Sequence, residues 1–163
     1  MPDLSLPSRR ILLAGAALAA VGGANAQTSG AGDPSQLVAL MEGYAAALNS
    51  NNVDAVVALY AADGVFMREN LPAVVGSEAL RAAYRQVFAT LKVDLRFAIQ
   101  ETEVAGDMAW LRSTSKGRIK TLATGVEADE SFNDLVVFRR EGGPWKIRCY
   151  LYASNKPGTG TPQ

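Results

Sequence analysis

The sequence predicts an α+β domain, in which three N-terminal helices pack on one face of a curved antiparallel sheet. Two observations support this fold class. Up to about residue 91, apolar residues recur at the spacing of helices. Beyond that point the period changes to two, and short turns that contain glycine separate four long segments of alternating character. Helices that come first and hairpins that follow are typical of a domain whose helices cover one side of the sheet.

The first helix is expected to begin with Asp33 as its cap and Pro34 in its first turn. Asparagines and a serine at 49–52 end this helix and cap a shorter one, which runs to Tyr60. The apolar stripe of the first helix consists of Leu37, Leu40, Met41, Tyr44 and Leu48.

A brief strand at 65–67 and a loop at 69–76 follow, and Ser77 is expected to cap the third helix. The apolar stripe of this helix contains Leu80, Tyr84, Val87, Phe88 and Leu91. The four predicted strands cover 93–104, 108–121, 126–140 and 144–154.

The last two strands carry large apolar residues on both faces. Phe132, Val136 and Phe138 alternate with Leu135 and Val137, and Trp145, Ile147, Cys149 and Leu151 alternate with Tyr150 and Tyr152. Only one face can cover the helices, so the other has apolar surface left over. We expect a homodimer formed through this second face, with a partly hydrated face as the alternative. The pattern leaves open which of Leu135 and Tyr150 points outward.

The N-terminus has the three parts of a bacterial export signal. Arg9 and Arg10 precede an apolar run, and a small-x-small site ends at Ala26. The paired arginines resemble the twin-arginine class of signal. The apolar run is shorter than the roughly 20 residues that span a bilayer, so we expect cleavage after Ala26 and no membrane anchor. The mature protein is therefore predicted to be periplasmic or secreted.

This interpretation divides the chain into a signal peptide at 1–26, a linker at 27–34, one domain at 35–155 and a flexible tail at 156–163. Removing the signal leaves 137 of the 163 residues, which suits one domain. The remainder carries 14 basic and 15 acidic side chains without a basic cluster, so no nucleic-acid partner is expected.

Histidine is absent from the chain, which excludes Ser-His-Asp and Cys-His catalysis and histidine-based metal sites. Any general acid or base must therefore be Asp, Glu, Tyr, Lys or the single Cys149. No cofactor and no metal site are predicted.

Two stretches carry a resemblance to a known family. Residues 44–65 read Tyr-Ala-Ala-Ala-Leu-Asn-Ser-Asn-Asn-Val-Asp-Ala-Val-Val-Ala-Leu-Tyr-Ala-Ala-Asp-Gly-Val, and residues 76–84 read Gly-Ser-Glu-Ala-Leu-Arg-Ala-Ala-Tyr. Both resemble the helices of the nuclear transport factor 2-like superfamily, which includes ketosteroid isomerases and SnoaL-like polyketide cyclases. The resemblance covers about residues 35–155. It implies a cone-shaped fold with a pocket at the wide end.

The resemblance also implies roles for particular residues. The donor tyrosine of the isomerases falls on Tyr44, and their acidic donor falls on Asp134. Their proton-transferring carboxylate falls on Arg68, which stays protonated and cannot act as a base. Glu69 is next along the chain, but neighbouring strand residues point to opposite faces unless a bulge intervenes. Steroid isomerisation is therefore not expected.

The remaining candidates are residues that can line a pocket, with plain packing as the alternative. They are Met67, Arg68, Tyr84, Phe88, Trp110, Arg112, Phe132 and Tyr150. Asp134 lies among apolar neighbours on its strand, so it must pair with an arginine such as Arg68 or Arg112, become protonated, or face a hydrated cavity.

Three functions follow from these residues. The first is binding of a small apolar or aromatic molecule in the pocket. The second is a cofactor-independent isomerase, cyclase or hydratase that uses Asp134 and Tyr44. The third is a dimeric interaction module without a pocket.

Overall fold

The computed structural model describes residues 33–156. The predicted signal peptide, nearly all of the linker and the tail beyond residue 156 lie outside the described residues. The elements are α1 (Pro34–Asn49), α2 (Val53–Ala58), β1 (Tyr60–Met67), β2 (Val74–Val75), α3 (Ser77–Thr90), β3 (Leu91–Ala105), β4 (Met108–Thr121), β5 (Glu127–Arg139) and β6 (Lys146–Ser154).

The caps of the first two helices are confirmed. The Asp33 carboxylate accepts a hydrogen bond from the backbone N–H of Ser35 at 2.9 Å, which satisfies a free donor at the start of α1. The Asn52 side chain accepts from the Ala55 N–H at 3.0 Å at the start of α2. The predicted cap of α3 is wrong, because Ser77 is the first helical residue and no side chain caps the helix.

The α+β class is confirmed, and the sheet is larger than predicted. Six strands lie in the order β2-β1-β6-β5-β4-β3, and every neighbouring pair is antiparallel except β1 and β6, which are parallel. β1 begins at Tyr60, not at residue 65, and β2 lies within the predicted loop. The sequence predicted only the end of β1, at 65–67, because the partner strand β6 is more than 80 residues away and the register shifts between Tyr60 and Val65.

The two faces of the sheet are distinct. We call the face that the helices cover the inner face, and the opposite one the outer face. Along β5, Asp134 and Val136 are buried on the inner face, and Leu135 is exposed on the outer face. Alternation in β6 is interrupted, because Phe138 pairs with Ile147 while Val137 pairs with Cys149.

Arg148 is therefore the extra residue of a β-bulge. The bulge brings both Ile147 and Tyr150 to the buried side. The strict alternation predicted for β6 was wrong for this reason, and Leu135 instead of Tyr150 is the residue that faces outward.

The core lies between the helices and the inner face. It contains residues from every helix and from all strands except β2, and its most buried apolar members are Leu37, Met41, Val56, Leu80, Leu111, Val136, Phe138 and Ile147. Burial of this apolar surface is the main force that holds the helices on the sheet. No helix within residues 33–156 is long and apolar enough to cross a membrane.

Candidate functional site

A cavity of about 250 Å³ lies between α1, α3 and the inner face of the sheet. Most of its wall is aromatic or aliphatic. The aromatic lining residues are Tyr44, Phe66, Tyr84, Phe132, Tyr150 and Tyr152. The polar lining residues other than tyrosine are Arg68, Gln86, Thr90 and Ser115. An apolar wall with a few polar groups is typical of a site that binds a small molecule.

Three buried tyrosines form a chain of hydroxyl groups beside this cavity. The Tyr84 hydroxyl lies 2.8 Å from the Tyr44 hydroxyl and 2.8 Å from that of Tyr60. Burial raises the pKa of each phenol well above its usual value, so all three keep their protons. The three hydroxyl groups form two hydrogen bonds with one another, which use two of their three hydrogens. The third hydrogen is left to bond an acceptor other than these tyrosines. Tyr44 and Tyr84 both line the cavity.

Asp134 is held by hydroxyl groups and not by an arginine. Its carboxylate accepts hydrogen bonds from Tyr150 at 2.9 Å, Ser115 at 3.1 Å and Ser113 at 3.3 Å. Burial raises the pKa of Asp134 to about 6, although these three hydroxyls oppose the rise. Neither Arg68 nor any other arginine within residues 33–156 forms an ion pair with it. Asp134 therefore lies just behind the cavity wall that Ser115 and Tyr150 provide.

The aromatic side chains contact one another around Phe66. Its ring stacks on Tyr84 with centroids 4.9 Å apart and on Tyr150 with centroids 5.7 Å apart. The guanidinium carbon of Arg68 lies 5.7 Å from the same ring, within the range of a cation–π interaction. These contacts fix the shape of the wall, because each ring restricts the rotation of its neighbours.

The structure places five of the predicted site residues together in the cavity wall. They are Tyr44, Arg68, Tyr84, Phe132 and Tyr150, with Asp134 bonded behind them. Whether they bind or transform a ligand stays a prediction.

Four other predicted lining residues lie elsewhere. Phe88 is buried in the core beside Tyr84 but does not reach the cavity. Met67 follows the inward Phe66 and takes the opposite side of β1. Trp110 and Arg112 lie on the outer face, where the Trp110 indole donates to Glu103 at 3.2 Å and Arg112 pairs with Glu101 at 3.3 Å. The period-two pattern showed that both residues share one face of β4, but it did not show which face of the sheet that is.

Glu69 is not in the cavity wall. Its carboxylate accepts a hydrogen bond from the backbone N–H of Ser154 at 2.9 Å and is exposed. In the described part of the chain, no aspartate, glutamate or lysine lines the cavity, and Arg68 is the only charged side chain there.

Sequence reasoning missed Tyr60, Phe66, Tyr152 and the two serines that hold Asp134. Ser113 and Ser115 alternate on β4, and Ser113 pairs directly with Asp134 in the sheet. Two serines on the apolar side of a strand could have indicated a polar partner nearby, since buried hydroxyl groups need a hydrogen-bond partner. Within residues 33–156, no group of three or more acidic or cysteine side chains is placed to hold a metal ion.

Helices packed against a curved sheet of six strands define the nuclear transport factor 2-like fold. The chain belongs to the SnoaL-like domain family, whose model matches residues 41–148. Among curated proteins, no match to the chain is found.

Solved structures agree with this assignment. A ketosteroid isomerase-like protein from Erwinia carotovora atroseptica is 31% identical with a TM-score of 0.72, covering 76% of this chain and 96% of its own. A candidate aromatic ring hydroxylase from Novosphingobium aromaticivorans is 24% identical with a TM-score of 0.68, covering 79% and 93%. A nuclear transport factor 2-like protein from the same genus and species is 18% identical with a TM-score of 0.61, covering 78% and 84%. The last two show the fold alone.

Proposed function

We propose that this chain is an exported SnoaL-like protein that binds a small apolar or aromatic molecule in the cavity of the inner face. The observation that carries the proposal is the wall of six aromatic side chains with a spare tyrosine hydrogen beside it. Aromatic rings supply contact area to a ring-shaped ligand, and the spare O–H supplies one oriented hydrogen bond.

Blocking the cavity tests the proposal. Val87 is a half-buried lining residue on α3, so Val87→Trp should fill the cavity without disturbing the centre of the core. A panel of neutral aromatic and alicyclic compounds would be screened by thermal shift, because a ligand raises stability with its concentration.

Compounds that stabilise the wild type should no longer stabilise Val87→Trp. Val126→Trp is the matched control, since Val126 is exposed in the turn between β4 and β5. A panel in which no compound binds the wild type would contradict the proposal and favour the interaction module.

A second candidate is a cofactor-independent isomerase, cyclase or hydratase. It is favoured by the protonated tyrosine chain and by a carboxyl group with a pKa of about 6, both adjoining one cavity. A phenol at neutral pH, and a carboxylic acid below its pKa, are donors that can stabilise negative charge on a carbonyl oxygen. Binding alone is the better supported function, because none of the described residues that line the cavity carries a carboxylate or an amine to act as the base.

Ligands found in the screen would decide between these candidates. Each would be incubated with the protein and followed by NMR for a change in its chemical structure. Turnover that Tyr44→Phe and Asp134→Asn both abolish, with ligand affinity retained, would favour the enzyme.

We also propose that two copies associate through the outer face. Adjacent strands β4, β5 and β6 carry an apolar surface there, which we call the outer patch: Met108, Trp110, Leu135, Val137, Cys149 and Leu151. Met108, Leu135 and Leu151 are exposed although their strands lie in the interior of the sheet. A second copy of the chain offers the same patch, and a two-fold axis places like surface on like surface.

Export is proposed from the N-terminal sequence. Mass spectrometry of the natural protein should find a chain that begins at Gln27, and replacing Arg9 and Arg10 with lysine should retain the precursor inside the cell. A natural protein that keeps residues 1–26 would contradict export, and unaffected export of the lysine variant would contradict the twin-arginine route.

A further inference from the structure

Arg68 differs from every other arginine within residues 33–156. Six of these arginines form salt bridges, namely Arg81, Arg112, Arg118, Arg139, Arg140 and Arg148. Arg85 and Arg96 form none and are exposed. Arg68 is half-buried, forms no salt bridge with a described residue, and its Nε is buried without a hydrogen-bond partner.

The surroundings of Arg68 leave its charge uncompensated. Among residues 33–156 it is the only charged residue in the cavity wall, and its guanidinium lies over the face of the Phe66 ring. The neighbouring Glu69 bonds instead to the Ser154 amide. Asp134 is bonded to three hydroxyls. A partly buried cation without a counter-ion is costly, and a bound anion would remove that cost.

A second donor lies beside Arg68. Tyr152 lines the same cavity beside Phe66, with ring centroids 5.9 Å apart, and its hydroxyl makes no hydrogen bond to a described residue. Burial raises the pKa of this phenol, and the positive charge of Arg68 opposes the rise. A planar guanidinium and a phenol O–H are together suited to the two oxygens of a carboxylate.

From this arrangement we infer that the ligand of the cavity is a small carboxylic acid, whose carboxylate binds Arg68 and Tyr152 while its ring lies against the aromatic wall. This inference rests on the proposed function, since it names the class of ligand for the same cavity. The volume of about 250 Å³ lies just below the range of roughly 300–1,000 Å³ that is usual for ligand pockets. It therefore favours an acid with one or two rings over a larger polycyclic compound.

Matched acids and amides test the inference. Benzoate, cinnamate and 1-naphthoate would be compared with benzamide, cinnamamide and 1-naphthamide by isothermal titration calorimetry at pH 7.5. Each pair has the same ring and shape and differs in the charge of its head group. For the pair that fits the cavity, the acid should bind the wild type at least tenfold more tightly than the amide.

Variants of Arg68 assign that preference to one side chain. Arg68→Gln should lower acid affinity at least tenfold and leave amide affinity unchanged, and Arg68→Lys should restore part of the loss. Arg112→Gln is the matched control, because Arg112 lies on the outer face. Without ligand, Arg68→Gln should melt close to the wild-type temperature or above it, because the side chain loses no salt bridge to a described residue and only its contact with the Phe66 ring.

The outcomes separate this inference from the proposal beneath it. Equal affinity for acid and amide, or acid binding unchanged in Arg68→Gln, would overturn the carboxylate while ring binding in the cavity stands. A melting temperature several degrees lower in Arg68→Gln would also overturn it, since Arg68 would then be paired within the protein. Failure of all acids, amides and neutral compounds to bind the wild type would overturn the proposed function itself.

Discussion

The inner and outer faces of β5 invert the usual placement of polar and apolar residues. Asp134 on the inner face is 2% exposed, and its neighbour Leu135 on the outer face is 41% exposed. A buried carboxylate is unfavourable unless hydrogen bonds compensate it, and the apolar patch to which Leu135 belongs is unfavourable while it faces water. On the inner face of β5 the cost comes from burying a polar group, and on the outer face it comes from exposing an apolar one.

The two costs are compensated differently. On the inner face, specific hydrogen bonds hold single polar groups, as three hydroxyls do for Asp134. On the outer face no such bonds exist for apolar atoms, so only coverage by another surface removes the outer patch from water. This difference is consistent with the small-molecule site that we propose on the inner face and with the dimer that we propose on the outer face.

The largest expected effect of this contrast is that the free energy of unfolding depends on pH through the titration of Asp134. Its pKa of about 6 in the folded protein lies above the ordinary value of 3.8, so the folded state binds the proton more tightly. Stability from this group is then greatest below about pH 4 and falls as the pH rises to about 6. A shift of about two units corresponds to about 3 kcal/mol.

Asp134→Asn should remove that part of the pH profile in urea unfolding followed between pH 4 and pH 7. At pH 7 the variant should be as stable as the wild type or more so, because no arginine loses a partner. Asp129→Asn is the control, since Asp129 lies exposed on the same strand. A loss of several kcal/mol, restored in the double variant with Arg68→Met, would show instead that the two side chains pair.

On the outer face, the corresponding test is a charge within the outer patch. Leu135→Glu should raise the dissociation constant of the dimer about a hundredfold, or about 2.7 kcal/mol, because the carboxylate must lose water at the interface. Leu122→Glu is the control, since Leu122 is similarly exposed in the turn after β4. Light scattering across a concentration series measures both. A wild type that is monomeric at micromolar concentration would contradict the dimer.

Local sequence patterns correctly predicted the features that residues close together in the sequence determine. The caps at Asp33 and Asn52 and the four long strands follow from residues a few positions apart, and the structure has them there. The parallel pairing of β1 with β6 and the bulge at Arg148 depend on distant chain segments, so periodicity could not reveal them.

The same distinction explains the candidate site. The sequence placed Tyr44 and Tyr84 on apolar helix stripes, but it placed Tyr60 on a helix and put Trp110 and Arg112 in the pocket. Period two states which residues share a face and does not state which face is covered. The bulge then decides the side for Tyr150, and only the assembled sheet brings its hydroxyl to Asp134.

The smallest expected effects on stability come from substitutions in the chain of tyrosine hydroxyls, because these groups form hydrogen bonds between neutral side chains. Tyr84→Phe removes the central hydroxyl and both contacts, so it should cost about 2 kcal/mol, and Tyr60→Phe removes one contact and should cost about 1 kcal/mol. Tyr152→Phe is the matched control and should be near neutral, because its hydroxyl bonds to no described residue. Denaturant unfolding at pH 7 gives all three values. An equal cost for Tyr60→Phe and Tyr84→Phe would mean that Tyr84 is not the partner that Tyr44 and Tyr60 share.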